Sequence, residues 1–235
     1  MTGGELYIVA TPIGNLGDIT LNAVQVLKDV DVILCEDTRV TRTLLEAYQI
    51  TTPTQSFHHH SGMAKMKEVY DLLFAGKRIA LVTDAGTPGV SDPGNALINF
   101  LTASPGFTGA IRPVPGPSAV TAALSVCGFS TDAFLFLGFP PHKKGRHAFF
   151  QQVADARHTT VFYESSHRIA KTLAELGELL SEDRELCVCR ELTKKFETIY
   201  RGTIKKILAM SIPEKGEFAV VVRAEPKRGK SKRAP

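Results

Sequence analysis

Residues 83–94 read TDAGTPGVSDPG and follow directly on the apolar run Ile79-Ala80-Leu81-Val82. A buried strand running into a loop with three glycines and two prolines, with a helix beyond, is how α/β proteins build ligand sites at strand carboxyl ends. Glycines let backbone amides approach a bound molecule, and prolines hold the loop in one shape. No lysine follows the glycines, as a phosphate-binding P-loop requires, and the spacing is not GxGxxG. The stretch predicts a site built from backbone, whose ligand must be identified from its neighbours.

Strands and helices alternate along the whole chain. Apolar runs predict strands over 6–10, 32–35, 79–83 and 110–114, joined by helices over 21–27, 41–48, 64–75 and 93–103. The last of these opens on Pro93, whose missing N–H costs nothing in a first helical turn. The densest proline cluster, Pro113-Val114-Pro115-Gly116-Pro117, precedes a helix over 118–126 with Ser118 as its N-cap. The domain boundary is placed there: an N-terminal α/β domain over 1–115, a C-terminal α/β domain over 116–225 and a basic tail over 226–235. In the second domain, strands are expected over 134–138, 160–163, 186–189, 197–200 and 218–222. Ile169, Leu173, Leu176 and Leu180 mark one helical face, and the short connections allow antiparallel pairing.

The 235 residues suffice for one or two domains with real cores. No apolar run approaches the roughly 20 residues of a membrane helix and no signal-peptide pattern is present, so a cytoplasmic location is expected. The net charge is +4, but Lys227, Arg228, Lys230, Lys232 and Arg233 lie in the acid-free tail, and without them the remainder stands at −1. Such a tail suits an anionic partner such as RNA, or it simply solubilises the chain end. Cys187-Val188-Cys189 puts two thiols on one strand face but lacks the second pair of a zinc site, so Cys35, Cys127, Cys187 and Cys189 are read as reduced, partly buried thiols. His58-His59-His60 has no acid or cysteine beside it, and adjacent residues cannot all reach one ion; no metal is expected.

Five loops follow apolar runs and carry polar or glycine-rich residues. Besides 83–94, these are 11–18 (TPIGNLGD), Glu36-Asp37-Thr38-Arg39, Pro115-Gly116-Pro117-Ser118 and Tyr163-Glu164-Ser165-Ser166-His167-Arg168, the last with Arg190 to Glu197 near it in sequence. Two carboxylates and an arginine at a strand's end suit a cleft; their structural alternative is an N-cap and an ion pair. A helix starting at the proline hinge offers free amides to an anionic group.

Six ordered segments, LYIVATPIGNLGDIT, EDTR, TDAGTPGVSDPG, PGPSA, FYESSHR and RELTKKFET, together resemble the ribosomal RNA small subunit methyltransferase I family of the tetrapyrrole methylase superfamily, over residues 5–223. The resemblance implies two α/β domains of the tetrapyrrole methylase type, with S-adenosylmethionine in the cleft between them. It implies 2′-O-methylation of a cytidine in the decoding region of small-subunit ribosomal RNA, as free RNA or assembled subunit, by a homodimer. It assigns the cofactor to Ile13, Gly86, Thr87, Pro88, Val90, Ser91, Ser118, Ala119, Tyr163 and the Glu217 turn. Thr87 stands where the superfamily often has Asp, and Ser166 where Pro or Thr is expected. Longer members also carry a small C-terminal helical domain, whereas this sequence stops soon after Arg223, as a naturally short member or as a piece of a longer chain.

A ribose hydroxyl needs its proton removed and its oxygen aligned with the methyl group. Glu36 or Glu164 is the expected base, or Lys194 lowers the hydroxyl's pKa. Arg39, Arg168 and the 142–147 loop with Lys143, Lys144 and Arg146 are expected on phosphates. A small-molecule methyltransferase acting on a tetrapyrrole precursor and a non-catalytic RNA-binding assembly factor remain as alternatives.

Overall fold

The computed structural model describes residues 3–58 and 61–225. The chain divides into two compact units, Met1–Ser118 and Ala119–Pro235. Two expected features, the tail over 226–235 and the pair His59 and His60, lie outside the described residues.

In the first unit, β1 (Glu5–Val9), β2 (Val32–Cys35), β3 (Thr54–Ser56), β4 (Arg78–Leu81) and β5 (Ala110–Val114) form a parallel sheet in the order β3-β2-β4-β1-β5. The crossovers are α1 (Leu21–Asp29), α2 (Thr38–Ala47), α3 (Met63–Phe74) and α4 (Asn95–Ala103). The inner strands β2 and β4 read as nearly continuous apolar runs because both faces are covered. Leu6, Leu34, Ile79 and Leu81 pack with Val69, Leu73, Leu97 and Leu101 of α3 and α4. Their strand neighbours Val9, Ile33, Cys35 and Ala80 pack on the opposite face with Ala23, Val26, Leu27 and Leu45 of α1 and α2. The helix expected from Pro93 starts at Asn95 instead, because Gly94 sits at φ +143°, which no helix passes through.

In the second unit the sheet order is β6-β7-β10-β8-β9, with β6 (Phe134–Phe136) parallel to β7 (Thr159–Glu164). β8 (Glu185–Arg190), β9 (Thr198–Thr203) and β10 (Phe218–Val222) add antiparallel pairs, matching the short connections between them. One face carries α5 (Ala119–Cys127), whose Val120, Ala123, Leu124 and Cys127 meet Val161, Cys187, Cys189 and Val221. The other carries α6 (Arg146–Asp155), α7 (Ile169–Leu179) and α8 (Ile204–Leu208) around Phe150, Phe162, Leu176 and Val220. All four cysteines are buried and reduced; the Cys187 and Cys189 sulfurs lie 3.7 Å apart, and their shared hydrogen bond together with burial pushes the Cys189 thiol up.

Among the described residues, β3, α6, α8 and a short 3-10 turn over Leu16–Asp18 have no counterpart in the sequence-based expectation. The basic run over 142–147, expected as a loop, is one only as far as Gly145, and Arg146 opens α6. Phe162 is fully buried in the second unit's core. Phe162→Ala is expected to destabilise that unit by about 3–5 kcal/mol in denaturant titration.

Candidate functional site

The carboxyl ends of β1, β2 and β4 bring three of the expected loops together on the first unit. The peptides of Thr11 and Gly86 exchange two hydrogen bonds, Thr11 N–H to Gly86 O at 2.9 Å and Gly86 N–H to Thr11 O at 3.1 Å. The buried Thr11 hydroxyl adds a bond to Thr83 O at 3.1 Å. Loop 11–18 and the glycine loop are therefore one unit, joined because β1 and β4 are neighbours. Gly86 takes φ +82°, and a Cβ there would lie 3.7 Å from the Ile13 side chain, so Ile13 and the Gly86 turn face each other closely. Beyond it Val90 N–H closes a turn on Thr87 O, Ser91 is held at φ +64°, and Asn95 donates to Gly89 O at 2.8 Å. A left-handed serine is a strained conformation, kept where the surroundings over-determine it. The proline hinge follows β5, the other neighbour of β1, and Gly116 approaches Ala10 so closely that a Cβ would stand 3.1 Å from the alanine methyl.

On the other side of β4, the peptide N–H of Asp37 donates to Asp84 Oδ1 at 3.1 Å and ties the EDTR loop to the glycine loop. Asp37 also caps α2 through Arg39 N–H and pairs with the Arg39 guanidinium at 2.6 Å. These bonds from Arg39 hold the Asp37 carboxyl down at about 2. Arg39 itself stays 86% exposed. Asp84 is raised by burial, against the hydrogen bond it accepts from the Asp37 peptide. Asp92, in the same loop, is raised to about 6 by burial and by the charges of Glu36 and Asp84, against a hydrogen bond from Thr83. Asp92 was missed in the sequence because the loop reads as a backbone device; its cue is an acid flanked by Ser91 and Pro93 in a chain whose EDTR loop supplies a second carboxylate. A carboxyl near 6 beside Glu36 can take up or release a proton close to neutral pH.

The second unit places its expected site residues at the carboxyl ends of β7 and β8, with results that differ from expectation. Glu164 has no exposed side-chain surface. Its Oε1 accepts from Ser165 N–H at 2.8 Å and pairs with Arg168 Nε at 3.2 Å; its Oε2 accepts from the Thr172 hydroxyl at 2.6 Å and faces Arg146 Nη1 at 3.6 Å. A carboxylate closed off in this way does not reach a substrate proton, which corrects its expected role as a base. Arg146, expected on RNA phosphate, is only 6% exposed: it pairs with Glu175 at 2.7 Å, donates to Thr172 at 2.6 Å and lies over the Phe150 ring at 4.8 Å. Its role is internal because a buried carboxylate requires a paired cation. Arg168 is likewise turned inward, its Nη2 bonded to Pro140 O at 2.6 Å while its Nε faces Glu164. Lys143 and Lys144 are exposed.

Lys194 bonds Glu217 at 2.8 Å and Glu191 at 3.1 Å; burial opposes its charge, but these two carboxylates raise its pKa, so it remains an ammonium. Tyr163 is half-buried at the end of β7, with its ring 5.0 Å from Phe136. Ser166 donates to Gly216 O at 2.7 Å and accepts from Gly216 N–H at 3.0 Å. A proline could make neither bond, so serine here fixes the turn that carries Glu217. Among the described residues no cluster of His, Cys, Asp and Glu could hold a metal ion, and no helix is long and apolar enough to cross a membrane.

The model of the family described as Tetrapyrrole (Corrin/Porphyrin) Methylases matches residues 5–208. A Synechocystis protein named ribosomal RNA small subunit methyltransferase I is 45% identical over 222 residues, spanning 93% of this chain and 78% of its own. A Thermotoga maritima protein of the same name is 41% identical over 221 residues, spanning 93% of this chain and 98% of its own. The solved methyltransferase CobJ superposes with a TM-score of 0.70 at 18% identity over 94% of each chain, a likeness of fold.

Two outcomes follow from the geometry. Arg146→Met, which keeps the stem over Phe150 but removes the charge, is expected to destabilise the protein by roughly 3 kcal/mol, since the buried Glu164 keeps only Arg168 and Glu175 keeps only Lys171 at 3.8 Å. Asp92 is raised above its usual 3.8 in the folded state, so folding is favoured most below pH 4 and that contribution is lost as pH rises through about 6. Asp92→Asn should therefore stabilise the protein above pH 6, by on the order of 1–2 kcal/mol given partial solvent screening, and have little effect below pH 4 in denaturant titrations.

Proposed function

The chain belongs to the ribosomal RNA small subunit methyltransferase I family of the tetrapyrrole methylases, and on that premise we propose that it transfers a methyl group from S-adenosylmethionine to the 2′-oxygen of a cytidine ribose in the decoding region of small-subunit ribosomal RNA. Identity of 45% across nearly the whole chain supports this reading; a cytoplasmic location is proposed because that is where such a substrate is found, and a homodimer on the family resemblance.

The residues of the first unit suit this cofactor. Ile13, Pro88 and Val90 offer apolar contact, the Gly86–Ser91 turn offers backbone groups, and Glu36, Asp84 and Asp92 supply negative charge against a sulfonium cation. Ile13, Gly86, Thr87, Pro88, Val90 and Ser91 are proposed as one wall. Ser118, Ala119, Tyr163 and Glu217 are proposed as further contacts on the family resemblance. When bound, S-adenosylmethionine supplies an activated methyl group. The chain's part is to align the ribose oxygen, accept its proton and hold the RNA.

With Glu164 closed off, the proton acceptor is assigned to Glu36, with Asp92 beside it as the group that shares the proton. Lys194 is proposed to steady the developing negative charge on oxygen, in exchange for its exposed and therefore inexpensive bridge to Glu217. Arg39, Lys143 and Lys144 are proposed on phosphates.

The test is labelled methyl transfer to small ribosomal subunits, and to their free RNA, from a strain lacking the enzyme, followed by mapping of the labelled ribose. Label on a cytidine 2′-oxygen is expected, and Glu36→Gln should lower the single-turnover rate about 10²–10⁴-fold. Label entering only a tetrapyrrole precursor, or no binding of S-adenosylmethionine by calorimetry, would reverse the assignment.

A further inference from the structure

We propose that residues 139–144 form a preorganised arm that grips unpaired RNA, with Phe139 stacking on a base and Lys143 and Lys144 holding the phosphates beside it. This rests on the ribosomal RNA substrate proposed above and adds the residue that engages the bases.

Phe139 is 51% exposed, three residues beyond the half-buried edge strand β6. Its ring is not loose: the centroid lies 5.3 Å from that of Tyr163 at 56°, and Tyr163 in turn stands edge-on to Phe136. One side of the ring is thus fixed against an aromatic pair while the other meets water. That is the geometry of a stacking platform, since every base offers a π-face to such a ring.

Charge points to the same partner. No acidic residue occurs between Asp132 and Asp155, a stretch holding Lys143, Lys144, Arg146, His142 and His147. Arg146 is committed internally, so Lys143 and Lys144 are the exposed cations of the arm, within five residues of the ring. An exposed aromatic with lysines along the chain is the combination that binds single strands; a double helix, whose bases are stacked on one another, has no use for the ring.

The arm is also held in place before any RNA arrives. Leu137 N–H donates to Val161 O at 3.0 Å and Tyr163 N–H to Gly138 O at 2.8 Å, carrying the β6–β7 ladder up to Phe139. Pro140 O accepts from Arg168 at 2.6 Å and Pro141 O from Arg146 at 3.3 Å, and both arginines converge on Glu164. The residues expected to do chemistry or bind RNA here instead clamp the arm, so little ordering entropy is left to be lost on binding.

The test compares wild type, Phe139→Leu and Phe139→Trp by fluorescence anisotropy with a short labelled single-stranded oligoribonucleotide and its duplex, with S-adenosylmethionine binding followed by calorimetry. Phe139→Leu should weaken single-strand binding about 5- to 100-fold, leave the duplex and S-adenosylmethionine affinities unchanged, and be rescued by Phe139→Trp. Lys143→Ala should lower the salt dependence of single-strand binding by about 0.7 in log–log slope. Equal single-strand affinity of wild type and Phe139→Leu would overturn the proposal. A change of oligomeric state on sedimentation of Phe139→Leu would also overturn it, by assigning the ring to a protein contact. A wild type that binds S-adenosylmethionine but no RNA would instead overturn the substrate itself, and the arm's role with it.

Discussion

Glu164 is a carboxylate with no exposed surface, and around it Arg146, Arg168, Thr172 and the Ser165 amide are drawn inward. Burying a charge costs several kcal/mol unless it is paired and hydrogen-bonded, and here both oxygens are engaged. The network links the end of β7 to the first turn of α6 and to α7, through Glu175 and Thr172. It also reaches the two proline carbonyls at 140 and 141, so the arm after β6 is held by the same groups that neutralise the buried charge. An apolar substitute of similar volume could pack as well, but it could not hold two carbonyls lying outside the core.

The first unit solves a different problem by the opposite means. Its loops after β1, β2 and β4 are joined through peptide groups: Thr11 and Gly86 exchange backbone bonds, and the Asp37 N–H donates to the Asp84 carboxylate. Glycine at φ +82° and serine at φ +64° give the glycine loop a shape that a regular strand or helix cannot take. Burial first, and then the charges of Glu36 and Asp84, push the Asp92 carboxyl up to about 6. Backbone builds the proposed cofactor wall, and side-chain charge tunes what lies beside it.

Much of this was legible in the sequence where burial leaves a pattern. The apolar runs at 32–35 and 218–222 are strands with those bounds, because a strand covered on both faces tolerates no polar residue. The polar strand Thr54–Ser56 at the sheet edge carries no such mark. Arg146 misleads for a physical reason. A basic run reads as solvated surface, and nothing local reveals that Glu164, eighteen positions on, and Glu175 require its charge inside. Glu164 misleads in the same way, since strand ends hold both catalytic carboxylates and structural ones, and only its partners separate the two. Asp92 carries no such mark because its pKa depends on burial and on Glu36, which comes near it only once β2 and β4 pair.

The central claim is that Glu164 holds structure in place and does not carry the reaction. Hydrogen exchange at the amides of residues 139–146, read by mass spectrometry in wild type and Glu164→Gln, tests it most directly. Removal of the charge releases both arginine clamps, so exchange in this segment should accelerate while S-adenosylmethionine affinity is kept. Unchanged protection of the segment, together with loss of methyl transfer, would contradict the account and return Glu164 to the chemistry.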